Sequence, residues 1–318
     1  MRHPRILAPA TTAAATGLTA ALLAGATLGT APASAATTPT TEASATAAPA
    51  SGEAAARKAL RALEASYKGR IGAYAIDTAT GKTITYRGGE RFPLLSTSKA
   101  PICAAALHRA RTSEPGLMDK VVKWTAADVK PNSPTTEDHV ADGLTVAQLC
   151  EAAITLSDNT AANMVLRQIG GPAGLTKYFR TLKDPISRLD RWETELNDWT
   201  VKEKRDTTTP AAIARDLRAL TTGNALTAKD RGRLNAWLIA NETGDARIRA
   251  GLPKTWTIGD KTGTNAEAGL ANDIAVAWPA KGAAPVILSI YTNRKATSVD
   301  DEVIAETAEI LARGLGKL

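Results

Sequence analysis

Residues alternate between apolar and polar at a period of two only toward the two ends of this 318-residue chain, and the long middle is helical in pattern. Arg70 to Asp77 and Thr83 to Arg87 read as strands, with Thr78-Ala79-Thr80-Gly81-Lys82 as the turn of a hairpin. Thr255 to Gly259, Asp273 to Trp278 and Pro285 to Thr292 supply three further strands far downstream. Strands at both ends with helices between them predict an α+β fold of the α-β sandwich kind. One antiparallel sheet forms from the N- and C-terminal segments, flanked by helices, with an all-helical lobe inserted. The α/β lobe is expected over approximately 53–92 and 211–318, and the helical lobe over approximately 93–210.

Helical spacing supports this layout. Leu60, Leu63 and Tyr67 share one stripe of a helix over Glu53 to Tyr67. The Ala-rich run Ala100 to Ala110 continues a helix that begins near Ser96, and Leu144 to Thr155 and Ala161 to Ile169 follow, the last stopped by Gly170-Gly171-Pro172. Ala211 to Leu220, Thr227 to Ala240 and Val303 to Leu315 complete the set. Ile186 to Thr209 has little periodicity and many charges, so it reads as a long loop of the kind that carries function.

The first residues belong to export rather than to the fold. Met1 to Arg5 holds two arginines, Ile6 to Pro32 holds no charge, and Ala33-Ser34-Ala35 is a small-residue cleavage signal; residues 1–35 therefore read as a secretory signal peptide. The stretch is rich in Ala, Thr and Gly rather than Leu, Ile and Val, which argues against a retained anchor, and no cysteine near the cut invites a lipid. Residues 36–52, mostly Ala, Thr, Pro and Ser, read as a disordered spacer. The mature chain is expected to be secreted, extracellular or periplasmic, with no stable membrane anchor. Removing Arg2 and Arg5 lowers the formal charge from +7 to +5, spread along the chain without a Lys/Arg cluster among aromatics, which argues against nucleic acid as a partner. The two cysteines, Cys103 and Cys150, have no histidine at ligand spacing. They read as a disulfide in an exported protein or as two buried thiols.

The chemistry gathers on four short motifs. In Phe92-Pro93-Leu94-Leu95-Ser96-Thr97-Ser98-Lys99, Ser96 and Lys99 stand three residues apart at a helix start, so the amine can lie beside the hydroxyl. A serine needs such an activator to attack a carbonyl, and a helix start supplies N–H groups that favour an oxyanion. Ser157-Asp158-Asn159, Arg191-Trp192-Glu193-Thr194-Glu195-Leu196-Asn197 and Lys261-Thr262-Gly263-Thr264 follow in order, the last on a strand. Each alone is commonplace as a cap, a solvated loop or a strand end. The four in this order are not.

Together they resemble the class A serine β-lactamases over nearly all of Glu53 to Leu318, with Ser133-Pro134, Asp142-Gly143 and Arg205-Asp206-Thr207-Thr208 extending the likeness. The resemblance implies one catalytic domain over 53–318, with its active site between the two lobes. In it Ser96 is the nucleophile that becomes acylated, Lys99 takes part in its activation, and Ser157 relays a proton to the departing lactam nitrogen. Asn159 would bond the substrate's side-chain amide, and Lys261, Thr262 and Thr264, around Gly263, would receive its carboxylate. The N–H groups of Ser96 and Thr264 would form the oxyanion hole. Glu193 with Asn197 would aim the water that frees the acyl-enzyme, and Arg191 with Asp206 would close the loop that holds them. The likeness also favours the Cys103–Cys150 disulfide and implies a monomer without metal or cofactor, acting on a small β-lactam.

Some positions depart from the family pattern. Ala271 stands where many relatives carry an arginine for the substrate carboxylate, and Arg247 in Thr243-Gly244-Asp245-Ala246-Arg247 fits the alternative source of that charge. Asn265 replaces a common glycine and Asn132 a common rim aromatic. These changes bear on substrate range rather than reaction class. His108 and His139 lack motif context, so a Ser-His-Asp triad is not expected. The rival functions are a D,D-peptidase or penicillin-binding protein, which should lack the Glu193 and Asn197 loop, and a non-catalytic lactam-binding module, which should carry lesions in the motifs.

Overall fold

The computed structural model describes residues 52–318, so the expected signal peptide and almost all of the spacer lie outside the described residues. In chain order the elements are α1 (Gly52–Tyr67), β1 (Arg70–Asp77), β2 (Thr83–Tyr86), β3 (Phe92–Pro93), a 3-10 turn at Leu95–Ser98, and α2 (Lys99–Thr112). Then come β4 (Val121–Val122), β5 (Leu144–Thr145), α3 (Val146–Thr155), α4 (Asn159–Gln168), α5 (Gly171–Thr181), β6 (Thr207–Thr208), α6 (Pro210–Thr221) and α7 (Ala228–Ile239). The chain closes with β7 (Thr257–Asn265), β8 (Leu270–Trp278), β9 (Val286–Asn293) and α8 (Glu302–Leu315).

The strands near the two ends meet in one five-stranded sheet of order β2-β1-β9-β8-β7, antiparallel throughout. Its central seam pairs Arg70 with Asn293 and Asp77 with Val286. Both faces are covered, so alternate residues of a strand enter two different cores. Val286, Leu288 and Ile290 pack with α1 and α8, while the alternate residues Ile287 and Tyr291 join the helical core on the other face, where Ser289 Oγ bonds Pro210 O at 2.6 Å. Helix α2 is buried almost all round from Lys99 to Leu107, and its small alanines let α3, α4 and α7 approach it closely.

Four local expectations need adjustment. The segment 144–155 is not helical from its first residue: Leu144 and Thr145 pair with β4, and Thr145 caps α3 through a reciprocal bond pair with Gln148. Gly170-Gly171-Pro172 ends α4 but also begins α5, since proline suits the first helical turn. The helix expected at Ser96 opens as a 3-10 turn and becomes α-helical only at Lys99. The strand expected at 255–259 runs on to Asn265, so the whole Lys261 motif lies in β7.

Candidate active site

The 3-10 turn carrying Ser96 and the strand β7 approach so closely that any side chain on Gly263 would crowd the turn. A Cβ on Gly263 would lie 3.0 Å from Leu95 Cβ and 3.2 Å from Ser96 N. Leu95 itself is held at φ 48°, a left-handed conformation uncommon for a leucine. This contact sets the Ser96 and Thr264 backbone beside one another across a pocket of about 310 Å³, lined by Ser96, Asn132, Ser157, Asn159, Asn197, Thr243, Thr262 and Thr264.

Beneath Ser96 lies Lys99, fully buried. Its Nζ donates to Asn159 Oδ1 at 2.6 Å and to Ser157 O at 2.7 Å, with Ser157 Oγ at 3.3 Å and Glu193 Oε1 at 3.2 Å. Burial pulls the amine below its ordinary value, and Glu193 opposes that shift. The two short bonds occupy both N–H groups of a neutral amine and leave its lone pair able to take a proton. Glu193 Oε1 stands close enough for an ion pair but has no aligned hydrogen bond.

Ser157 sits between two lysines, because Lys261 Nζ also reaches its Oγ, at 3.1 Å. Burial first, and repulsion by Lys99 second, lower the Lys261 amine to about 7. The other members of the Ser157 motif are structural in this conformation. Asp158 caps α4 through Ala161 N at 2.8 Å and binds Thr135 N and Thr136 N, while Asn159 Nδ2 donates to Pro131 O at 2.7 Å.

The long loop delivers Glu193, 1% exposed, to the same cavity. Asn197 Nδ2 donates to Glu193 Oε2 at 3.1 Å, and Asn265 Nδ2 holds Asn197 O at 3.2 Å. Arg191 Nε meets Asp206 Oδ2 at 2.6 Å, and Asp206 Oδ1 accepts from the N–H groups of Asp190 and Arg191, so the loop is pinned at its neck. Asn163 brackets the Glu193 peptide, with Nδ2 to Glu193 O at 2.9 Å and Glu193 N to its Oδ1 at 3.0 Å. Sequence reading missed Asn163, although it lies four residues after Asn159 and hence on the same face of α4. It also missed the hydroxyl of Thr243, which lines the pocket within the segment quoted for Arg247.

The comparisons with known proteins agree with this geometry. The family described as "Beta-lactamase enzyme family" matches residues 55–315. A β-lactamase of Streptosporangium roseum is 75% identical with TM-score 0.82, covering 83% of this chain and 100% of that one. The "Ancestral (GNCA) Beta-lactamase class A" is 49% identical with TM-score 0.77, covering 81% and 99%. "Beta-lactamase AST-1" of Nocardia asteroides is 47% identical over 256 residues, 80% of this chain and 82% of that protein. The chain belongs to the class A β-lactamases.

Two expectations about this β-lactamase change with the structure. Cys103 and Cys150 are not bridged: both are buried free thiols, and Cys103 Sγ lies 3.7 Å from the Cys150 carbonyl oxygen. Burial first, and the hydrogen bond to the Cys150 side chain second, push the Cys103 thiol well above its ordinary value. Arg247 does not line the pocket. It is 5% exposed and lies behind β7, where it donates to Thr264 Oγ1 at 2.8 Å, Gly263 O at 3.1 Å, Asn272 O at 2.8 Å and Asp301 Oδ1 at 2.7 Å. Its charge therefore reaches the pocket through the Thr264 hydroxyl. Ala271 is buried among the residues packed with α1 and α8, opposite Thr264 in the strand pairing. Among the described residues no group of three His, Cys, Asp or Glu is placed to hold a metal ion, and no helix is long and apolar enough to cross a membrane.

Proposed function

We propose that this enzyme hydrolyses the lactam amide of penicillins and related antibiotics through an acyl-Ser96 intermediate. Ser96 Oγ attacks the lactam carbonyl, and its proton passes to the buried pair Lys99 and Glu193, whose Nζ and Oε1 stand 3.2 Å apart. The N–H groups of Ser96 and Thr264 receive the developing oxyanion, an interaction worth about 3 kcal/mol per donor in other hydrolases. As the C–N bond breaks, Ser157 passes its proton to the lactam nitrogen and takes in turn the proton that came from Ser96, delivered by Lys99 Nζ at 3.3 Å from its Oγ, while Lys261 on the other side makes that hydroxyl a better donor. Lys261, Thr262 and Thr264 bind the substrate carboxylate, with Arg247 supplying charge through Thr264. Asn159 leaves its bond to Pro131 to meet the side-chain amide.

The observation that carries the reading is the Glu193–Asn197 pair facing buried Lys99. An acyl-serine ester persists unless a water is deprotonated and aimed at it, and a carboxylate beside a carboxamide does both. A peptidase or a lactam-binding module has no use for that pair. Residues 1–35 read as a leader, and export suits a role in antibiotic resistance, since the antibiotic must be met outside the cytoplasm; the proposed enzyme is a secreted monomer.

The test is to follow lactam absorbance and intact protein mass together with excess benzylpenicillin. Complete loss of lactam without a lasting adduct is expected. A single-equivalent burst with a persistent mass gain would identify a penicillin-binding protein instead. Ser96→Ala should form no adduct, and Glu193→Ala should accumulate one; turnover by Glu193→Ala at the wild-type rate would remove the role given to the loop.

A further inference from the structure

The Thr262 hydroxyl is one end of a hydrogen-bond chain that runs back into the protein. Thr262 Oγ1 lies 2.5 Å from Thr243 Oγ1, which lies 2.9 Å from Asn241 Oδ1. Asn241 Nδ2 then donates to Asp260 Oδ2 at 2.7 Å, and Arg249 Nε donates to Asp260 Oδ1 at 2.5 Å.

The direction of the protons along this chain follows from its two ends. Asp260 is fully buried and takes an N–H donor on each oxygen. The Asn241 amide therefore turns its NH₂ toward Asp260 and its oxygen toward Thr243, and the Thr243 backbone N–H fixes the same orientation by donating to Oδ1 at 3.3 Å. Burial raises the Asp260 carboxyl, with Arg249 opposing, but the Thr243 N–H orients the amide in either charge state. Asn241 Oδ1 offers only lone pairs, so the Thr243 hydroxyl donates to it. A hydroxyl has one proton to give. The proton in the 2.5 Å contact must then be the one on Thr262, and Thr262 turns lone pairs toward the pocket. That polarity repels a carboxylate.

We infer that Thr243 is a positioning residue for substrate carboxylate recognition: its hydroxyl donates to Asn241 before a ligand docks, then turns to donate to Thr262, which frees the Thr262 proton for the ligand. The inference rests on the assignment of Thr262 to the carboxylate made above. After the turn Asn241 Oδ1 still accepts the Thr243 N–H, so no buried acceptor is orphaned. Thr243 is exposed at the pocket wall whereas Asn241 is buried, which places the moving hydroxyl where the ligand arrives. Two hydroxyl protons rotate and no covalent bond changes.

The test compares wild type with Thr243→Val, which keeps the shape and removes the hydroxyl, on benzylpenicillin and on its methyl ester, which lacks the anionic carboxylate. KM for benzylpenicillin should fall about 3- to 10-fold, the value of the bond to Asn241 that the wild type gives up when Thr243 turns, with kcat within about twofold and the ester unaffected. Thr243→Ser should restore the wild-type KM. An unchanged or raised KM for benzylpenicillin would overturn the inference, because Thr243 would then be idle or would not hold the Thr262 proton before the ligand arrives. An equal fall for ester and acid would also overturn it, since the residue would then act on the shape of the wall. In a Ser96→Ala background, where no acylation is expected, the benzylpenicillin Kd should shift by the same factor, and an unchanged Kd refutes the relay. That arm needs no turnover, so wild-type protein that fails to hydrolyse any lactam refutes the assigned reaction separately from the relay.

Discussion

Asn163 offers the most direct handle on deacylation. Its side chain makes two buried hydrogen bonds to the Glu193 peptide, at 2.9 and 3.0 Å, and touches none of the groups that attack the lactam. Asn163→Ala removes both and leaves one backbone donor and one backbone acceptor unpaired, at about 1–3 kcal/mol each, or about 2–6 kcal/mol together. The loop can relieve that cost by lifting from α4, so the penalty appears as a smaller population with Glu193 in place. Even 2 kcal/mol lowers the ratio of seated to lifted loop roughly 30-fold. Acylation should fall less, because Lys99 keeps its short bonds to Ser157 and Asn159. Stopped-flow absorbance with benzylpenicillin, read with intact mass at short times, should show acyl-enzyme accumulating in the variant and a kcat reduced at least tenfold. Deacylation within about threefold of wild type would show that the Asn163 bracket does not set the position of Glu193.

Three further outcomes are expected. Gly263→Ala should push β7 and the Ser96 turn apart by a few tenths of an ångström, lowering kcat about tenfold and costing about 1–3 kcal/mol in denaturant titration; unchanged kcat would mean the approach is slack. Lys261, lowered to about 7, keeps its ammonium below that pH and loses it above, so kcat/KM for a carboxylate-bearing lactam should fall as pH rises through about 7. Lys261→Arg, whose charge persists, should move that alkaline limb upward, and an unmoved limb would assign it to another group. Thiol titration of the native protein should detect neither cysteine and should detect two after denaturation without reductant; none after denaturation would restore the disulfide.

Period-two segments at Arg70–Asp77 and Pro285–Thr292 made the sheet legible, because strands buried on one or both faces must show their faces in composition. Ser96, Lys99, Ser157, Glu193 and Lys261 were legible for another reason: their chemistry restricts which residue types can stand in those motifs. Asn163 and Thr243 escaped notice because their work is geometric. An asparagine within a helix and a threonine in a loop carry no signature until the peptide or hydroxyl they hold is located. For Arg247 the likeness implies a charge for the substrate carboxylate and nothing about its layer; its contact with Thr264 Oγ1 from behind β7 is not legible, since sequence gives no sign of which side of a strand a guanidinium occupies. The cysteines were misread because spacing and compartment speak to whether a bridge is permitted, whereas the packing around Cys103 decides what the sulfur touches.

The sheet order β2-β1-β9-β8-β7 has a consequence for how the chain could be rewired. If Leu318 were tethered to Glu53 and new ends were opened beside the exposed Asn224 between α6 and α7, the strands would follow one another as β7, β8, β9, β1, β2. Each would then lie next to its sequence neighbour, an up-and-down meander interrupted only by α8 and α1. The permuted chain would replace the Arg70 to Asn293 closure, which spans most of the protein, with local pairings, and lower contact order favours faster folding. In the natural order, a nascent chain that stops short of Val286 carries the nucleophile, both lysines and the loop acid, yet lacks the strand that joins its two halves of sheet.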